Sequence, residues 1–141
     1  MIALDTNVLV YAARSDSPHH GRARGAIESL AESGRTFAVP WPCAHEFFAV
    51  VTRAYRPAST PRQAFAFLRA LSQAPSLRWL HEAPHHLDVL ESLVGTRLVG
   101  GAIHDARIAA ICIAHGVAEL WSADRDFSLF TTLRVRNPLD D

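Results

Sequence analysis

The sequence predicts an α/β fold, a central, mainly parallel and twisted sheet with helices packed on its faces. Short β-like runs alternate with longer stretches of helical period, the pattern that builds parallel sheets. The first run passes directly into a helix, and Pro40-Trp41-Pro42 after the second starts another. No internal repeat, low-complexity tract or linker divides the chain, so a single domain over 1–141 is expected.

Each element has a local cause. Ile2-Ala3-Leu4 forms a strand over 2–4, followed by a helix through 8–13. Ser17-Pro18 opens a second helix, because proline is tolerated in a first turn where its missing N–H costs nothing, and Ser33-Gly34 ends it. Residues 37–39 read as the next strand. The Pro40-Trp41-Pro42 turn then starts a helix over 43–55, which Arg56-Pro57 stops. Thr60-Pro61 starts another, with Phe65, Leu68 and Leu71 at helical spacing as core candidates and Pro75 as its stop. A strand over 77–80, a helix over 85–94 and a Gly100-Gly101 hinge lead into a helix over 103–115, terminated by Gly116. Residues 119–121 form the following strand and 133–135 a last edge strand.

Composition narrows the function classes. A chain of 141 residues with 49% hydrophobic side chains can bury a sizeable core. Its longest apolar stretches, 47–51 and 108–114, fall far short of the roughly 20 residues that cross a bilayer. The N-terminus opens on strand-like residues without a charged, apolar leader, so no membrane association and a cytoplasmic location are expected. The formal net charge is zero, which removes any global attraction to nucleic acid and requires a polyanion to be gripped locally. All 14 basic side chains are arginine, suited to bidentate phosphate contacts but equally the mark of a GC-rich coding bias. Cys43 and Cys112 lack a Cys-x-x-Cys spacing and lie in apolar helical stretches, as core thiols do.

Four acidic residues stand where a globular protein seldom places charge. Asp5 follows the first strand and Asp124 the strand ending at Trp121, at the carboxyl edge where parallel sheets gather ligands, although an Asp there also caps helices or shapes turns. Glu46 shares its helix face with Cys43, Ala49 and Val50, and Asp105 shares its face with Ile108, Ala109 and Cys112. A charge on an apolar face needs a cation or a strong donor, here a metal ion or an arginine such as Arg53 or Arg107. If the four converge, their oxygens suit magnesium or manganese rather than zinc. His45 and His104 merely adjoin these acids, while His19-His20 and His85-His86 resemble solvated helix ends. No nucleophile elbow, Walker loop or dinucleotide-binding glycine triplet is present, which leaves phosphodiester hydrolysis, where two ions about 4 Å apart activate water and neutralise the leaving oxygen.

Leu4-Asp5-Thr6-Asn7-Val8-Leu9-Val10-Tyr11, Glu46 on a helix, His104-Asp105-Ala106 and Trp121-Ser122-Ala123-Asp124-Arg125-Asp126-Phe127 together resemble the PIN-domain ribonucleases. Arg136-Asn137-Pro138 resembles the tail of the VapC toxin branch, and the resemblance covers essentially the whole chain. It implies a PIN-like three-layer α/β/α fold and a Mg2+- or Mn2+-dependent endoribonuclease acting by metal-activated water. By the same resemblance, Asp5, Glu46, Asp105 and Asp124 match the metal-binding quartet and Asp126 an auxiliary acid. Asn7 and Ser122 match polar positions that hold carboxylates or metal-bound water, and Thr6 is expected to cap the first helix. The family resemblance also implies a homodimer and a VapB-type antitoxin whose C-terminal segment threads the groove. Arg14, Arg53 and Arg107 are candidates to position phosphates of the RNA substrate.

The sequence admits two rival readings. Asp5 also resembles the nucleophile of haloacid dehalogenase-type phosphatases, but those need an Asp where this chain has Asn7, and a lysine, which it lacks entirely. A non-catalytic RNA- or protein-binding module on a PIN-like scaffold is the other, and the intact acids argue against it.

Overall fold

A computed structural model describes residues 1–140. β1 (Ile2–Leu4) leads into α1 (Thr6–Ala13), followed by α2 (His20–Glu32), β2 (Phe37–Pro40), α3 (Trp41–Arg53), α4 (Pro61–Ser72) and β3 (Leu77–Leu80). Then come α5 (His86–Val94), a 3-10 turn at Gly100–Ala102, α6 (Ile103–Ala114), β4 (Glu119–Trp121), a second 3-10 turn at Arg125–Leu129 and β5 (Val135–Arg136).

The five strands form one sheet in the order β3-β2-β1-β4-β5, and every pairing is parallel. From β1 the chain steps outward through β2 to β3, then returns to lay β4 and β5 on the other side. Right-handed crossovers therefore put α1 to α4 on one face and α5 and α6 on the opposite face, giving three layers. Strand order reverses between β1 and β4, opening a crevice beyond their carboxyl ends. Because both faces are covered, β2 is buried along its whole length and reads as a continuous apolar run, not an alternation. Leu4, Phe37, Phe47, Ile111 and Leu120 are among the fully buried side chains on which the layers meet.

Several expectations shift. α2 begins at His20, since Ser17 is spent on a turn, its Oγ accepting from His19 N at 3.1 Å and its carbonyl from His20 N at 3.1 Å. α3 starts at Trp41 with Pro42 in its first turn, and ends at Arg53. α4 has the predicted cap, Thr60 and Gln63 bonding reciprocally at 3.1 and 2.9 Å, but Phe65 is 56% exposed. The inward stripe of α4 runs through Ala64, Phe67, Leu68 and Leu71, at i, i+3, i+4 and i+7, which puts Phe65 off the buried face. The last strand lies at Val135–Arg136 instead of 133–135. Leu133 turns into the core on a bond to Phe130 O, and Val135 and Arg136 pair with Leu120 and Trp121. The turn at Arg125–Leu129, which carries Phe127 into the core, was not anticipated. Among the described residues, no helix is long and apolar enough to cross a membrane.

Candidate active site

Asp5 leaves the end of β1 in an extended conformation at the cap position of α1, yet its side chain makes no cap bond. It turns into the crevice and is only 4% exposed. Oδ2 accepts from Ser122 Oγ at 2.6 Å and from Asn7 Nδ2 at 3.0 Å, while the Cys43 thiol approaches Oδ1 at 3.6 Å. Asn7 also donates to Ser122 Oγ, and its Oδ1 accepts from Ala123 N at 3.0 Å. Ser122 Oγ in turn accepts from Asp124 N at 2.9 Å. This frame ties the carboxyl ends of β1 and β4 together and sets Asp5 relative to Asp124.

The electrostatics follow from burial. Loss of hydration pushes the Asp5 carboxyl up to about 6, opposed by the hydrogen bonds from Ser122 and the Thr6 backbone and reinforced by the negative charge of Glu46. Burial, followed by the Asp5 charge, pushes the Cys43 thiol up, so it stays protonated and able to donate. Asp105, half-buried in the first turn of α6, is raised first by burial and then by Asp124, Asp126 and Glu46, with His104 pulling the other way.

Thr6 is the first residue of α1, not its cap; its hydroxyl donates to Glu46 Oε2 at 3.2 Å and joins α1 to α3. Glu46 does not project from an apolar face as expected. It and Ala49 are exposed, because that flank of α3 borders the open crevice. Asp124 does cap, its Oδ1 accepting from Asp126 N at 2.8 Å at the start of the Arg125–Leu129 turn. That bend brings the exposed Asp126 round, and Asp105, Asp124 and Asp126 each offer an oxygen within 4.8 Å of the others.

Asp5, Glu46, Asp105 and Asp124 line one cavity of about 190 Å³, with Thr6 and Asn7 beside them. Larger cavities of about 560 and 610 Å³, between α2 and α4 and beside the segment joining α5 to α6, hold no such carboxylate cluster. Among the described residues no arginine pairs with the four acids. Arg107 bridges Glu82 instead. Arg14 gives four of its five N–H groups to Asp16, Ser59 Oγ and the Pro57 carbonyl. These two, expected to position phosphates, are spent on structure; Arg53 is exposed at the end of α3. An all-oxygen cluster without a compensating guanidinium fits a hard divalent cation. Among the described residues no histidine lines the cavity; His45 stacks on Trp41 and His104 is exposed.

Sequence reasoning missed three neighbours of the acids. Cys43 was read only as core, though its place three residues before Glu46 set it on the same flank of α3. Tyr11 and Tyr55 also line the cavity. Tyr11 stands four residues beyond Asn7 on α1, a spacing that could have indicated it; Tyr55 lies past the end of α3, where helical periodicity gives no signal.

The PIN domain family matches residues 2–131. Ribonuclease VapC43 of Mycobacterium tuberculosis is 35% identical, over 99% of this chain and 97% of its own length. Ribonuclease VapC31 of the same organism is also 35% identical, over 99% and 100%. Among solved structures, VapBC2 from Rickettsia felis bound to a promoter DNA fragment superposes with a TM-score of 0.71 at 20% identity, covering 97% of this chain and 98% of that one. VapC20 of Mycobacterium tuberculosis, a sarcin-ricin loop cleaving toxin, superposes with a TM-score of 0.67 at 20% identity, over 91% and 93%.

Proposed function

The chain belongs to the PIN-domain family and, within it, to the VapC ribonucleases, and from that premise we propose that Asp5, Glu46, Asp105 and Asp124 hold magnesium or manganese for endonucleolytic RNA hydrolysis. The observation that carries this reading is one cavity with four carboxylates, two of which cluster closely with Asp126, and no arginine paired with the four among the described residues. Asp126 adds a fifth oxygen donor at the exposed edge.

The roles divide by environment. Magnesium or manganese held by these oxygens would lower the pKa of a water molecule and stabilise charge on the departing oxygen. Asp5 is the fixed ligand, oriented by Ser122, Asn7 and Cys43. Asp105 and Asp124 close the other side, and Glu46, steadied by Thr6, faces them from α3. Water attacks phosphorus, the P–O bond to one ribose breaks, and the proton that the water loses is balanced by the one the departing ribose oxygen takes up. The hydroxyls and thiol that touch the acids are not free to act as nucleophiles: the Ser122 hydroxyl is locked onto Asp5, Thr6 donates to Glu46, and the Cys43 thiol is buried and protonated.

The whole chain is taken as one PIN domain that acts as the toxin of a VapBC pair. A homodimer, RNA as substrate and a VapB-type antitoxin as protein partner complete the reading, supported by relatives of this fold that assemble as VapBC complexes. Purified protein is expected to cut RNA internally in manganese or magnesium, with EDTA abolishing cleavage. Asp5→Asn and Asp105→Asn are expected to be inactive with an unchanged circular-dichroism spectrum. Failure of the wild-type protein to cleave in either ion, or full activity in either variant, would overturn the reading.

A further inference from the structure

The carboxylates occupy one end of the cavity; the other end is built differently. α1 presents Asn7, Val10 and Tyr11 along it, and α3 presents Glu46 and Val50, with Tyr55 just beyond the helix end. At 1.5 Å per residue, Tyr11 lies about 9 Å along α1 from Asp5, and α3 runs about 10 Å from Glu46 to its end at Arg53, just short of Tyr55. The wall therefore changes from anionic to aromatic over roughly the reach of a neighbouring nucleotide.

Tyr55 is held in place. The Arg14 guanidinium lies over its ring at 4.5 Å from the centroid and is itself fixed, with its side chain 11% exposed. Asp16 grips it at 2.9 and 2.7 Å, and the Pro57 carbonyl at 2.8 Å and Ser59 Oγ at 3.1 Å complete the clamp. One ring face is thus covered by an immobile cation while the residue borders the cavity. Neither phenol hydroxyl has a hydrogen-bond partner among the described residues, so both remain available to a ligand. An uncharged aromatic wall beside clustered carboxylates suits the π-face of a nucleobase and not a second phosphate.

We propose that Tyr55, backed by Arg14, and Tyr11 form the stacking subsite for an unpaired base adjoining the phosphate held at the carboxylates. The proposal rests on the ribonuclease reading for its ligand class and adds the residues that seat the base. A duplex keeps its bases stacked on each other, so the subsite accepts a base only from single-stranded or splayed RNA.

Binding is measured by fluorescence anisotropy on the unmutated protein and the Tyr55 variants, using a short fluorescein-labelled, mixed-sequence single-stranded RNA and its abasic counterpart, with calcium, an oxygen-ligated ion, replacing manganese to keep the carboxylates loaded, and a denaturing gel confirming that the strand stays intact. Tyr55→Ala and Tyr55→Leu, the second preserving apolar volume, are each expected to weaken binding of the base-bearing strand about tenfold. Neither is expected to change binding of the abasic strand, and Tyr55→Phe is expected to retain most of the affinity. Equal binding by parent and variants, an equal loss on the abasic strand, or no binding of the base-bearing strand by the parent would each overturn the proposal. Cleavage by the wild-type protein in manganese is scored separately. Its absence would sink the ribonuclease reading, and the anisotropy comparison would still decide whether these phenols seat a base.

Discussion

Ser122 Oγ donates a 2.6 Å hydrogen bond to Asp5 Oδ2 across 117 positions of chain, joining the end of β4 to the end of β1 at the point where strand order reverses. The same oxygen accepts the Asp124 amide, so one hydroxyl orients two of the four carboxylates. Ser122→Ala removes the strongest donor to a buried acid and is expected to cost about 1–3 kcal/mol of stability. Its loss as an orienting partner is expected to weaken manganese binding about 10- to 100-fold. Thermal melts and a manganese titration by calorimetry check both; a variant indistinguishable from wild type in each would contradict the orienting role.

Protonation of Asp5 links stability to pH. Its folded value of about 6 lies above the unfolded value of 3.8, so ionisation opposes the metal-free fold. Below the unfolded value both states carry the proton and no penalty exists. The penalty grows as pH rises between the two values and is complete above the higher one, amounting to about 3 kcal/mol. Asp105, also raised, acts in the same direction. Metal-free protein is therefore expected to melt higher near pH 5 than near pH 7, with manganese restoring stability at the higher pH. A metal-free melting temperature that climbs through this interval would be the wrong sign.

Asp105→Asn separates function from folding. The variant removes a carboxylate crowded by Asp124, Asp126 and Glu46, so the metal-free protein is expected to melt at the wild-type temperature or above it. Cleavage and the melting shift on adding manganese are expected to disappear together. Scanning calorimetry with and without the ion supplies the readout; a retained shift would remove Asp105 from the metal site.

Cys43 tests the thiol behind Asp5. Cys43→Ser keeps a donor near Oδ1, whereas Cys43→Ala removes it from a fully buried position, with an expected loss of about 1–2 kcal/mol. Manganese affinity is expected to fall in the alanine variant and to be largely kept in the serine variant. Equal behaviour of the two would assign Cys43 to packing alone.

α4 offers a control away from the acids. Leu71→Ala is expected to cost about 2–4 kcal/mol, because Leu71 sits in the buried stripe, whereas Phe65→Ser is expected to change stability little. Urea denaturation of the two variants checks the ordering.

Much of this was legible in local pattern. The alternation of short apolar runs with helical stretches foretold the parallel sheet, and Thr60-Pro61-Arg62-Gln63 foretold the cap of α4, because both depend on neighbours a few residues away. Asp5 and Asp124 were legible from their place after strands, and Asp105 from its place on an apolar helix face. Phe65 was misplaced because Ala64, Phe67, Leu68 and Leu71 form the inward stripe of α4, and the start of α2 because Ser17 closes a local turn; the turn at Arg125–Leu129 was missed where burial of Phe127 outweighed local propensity. Glu46 was expected on an apolar face, but the flank it occupies is open, and it lines the cavity with the other three acids.

The linear order of residues alone determined the element types, their parallel arrangement and four acids in the right relation to strands and helices, since these are read from periodicity and short-range sterics. The family motif already implied that Asn7 and Ser122 hold carboxylates; tertiary structure alone decided that both bond Asp5 Oδ2, that Arg14 and Arg107 serve structure, and that Tyr11 and Tyr55 share a wall with the carboxylates. Those outcomes depend on which helix faces meet at the reversal of strand order. Contacts spanning 117 residues leave no periodic trace in the chain that makes them.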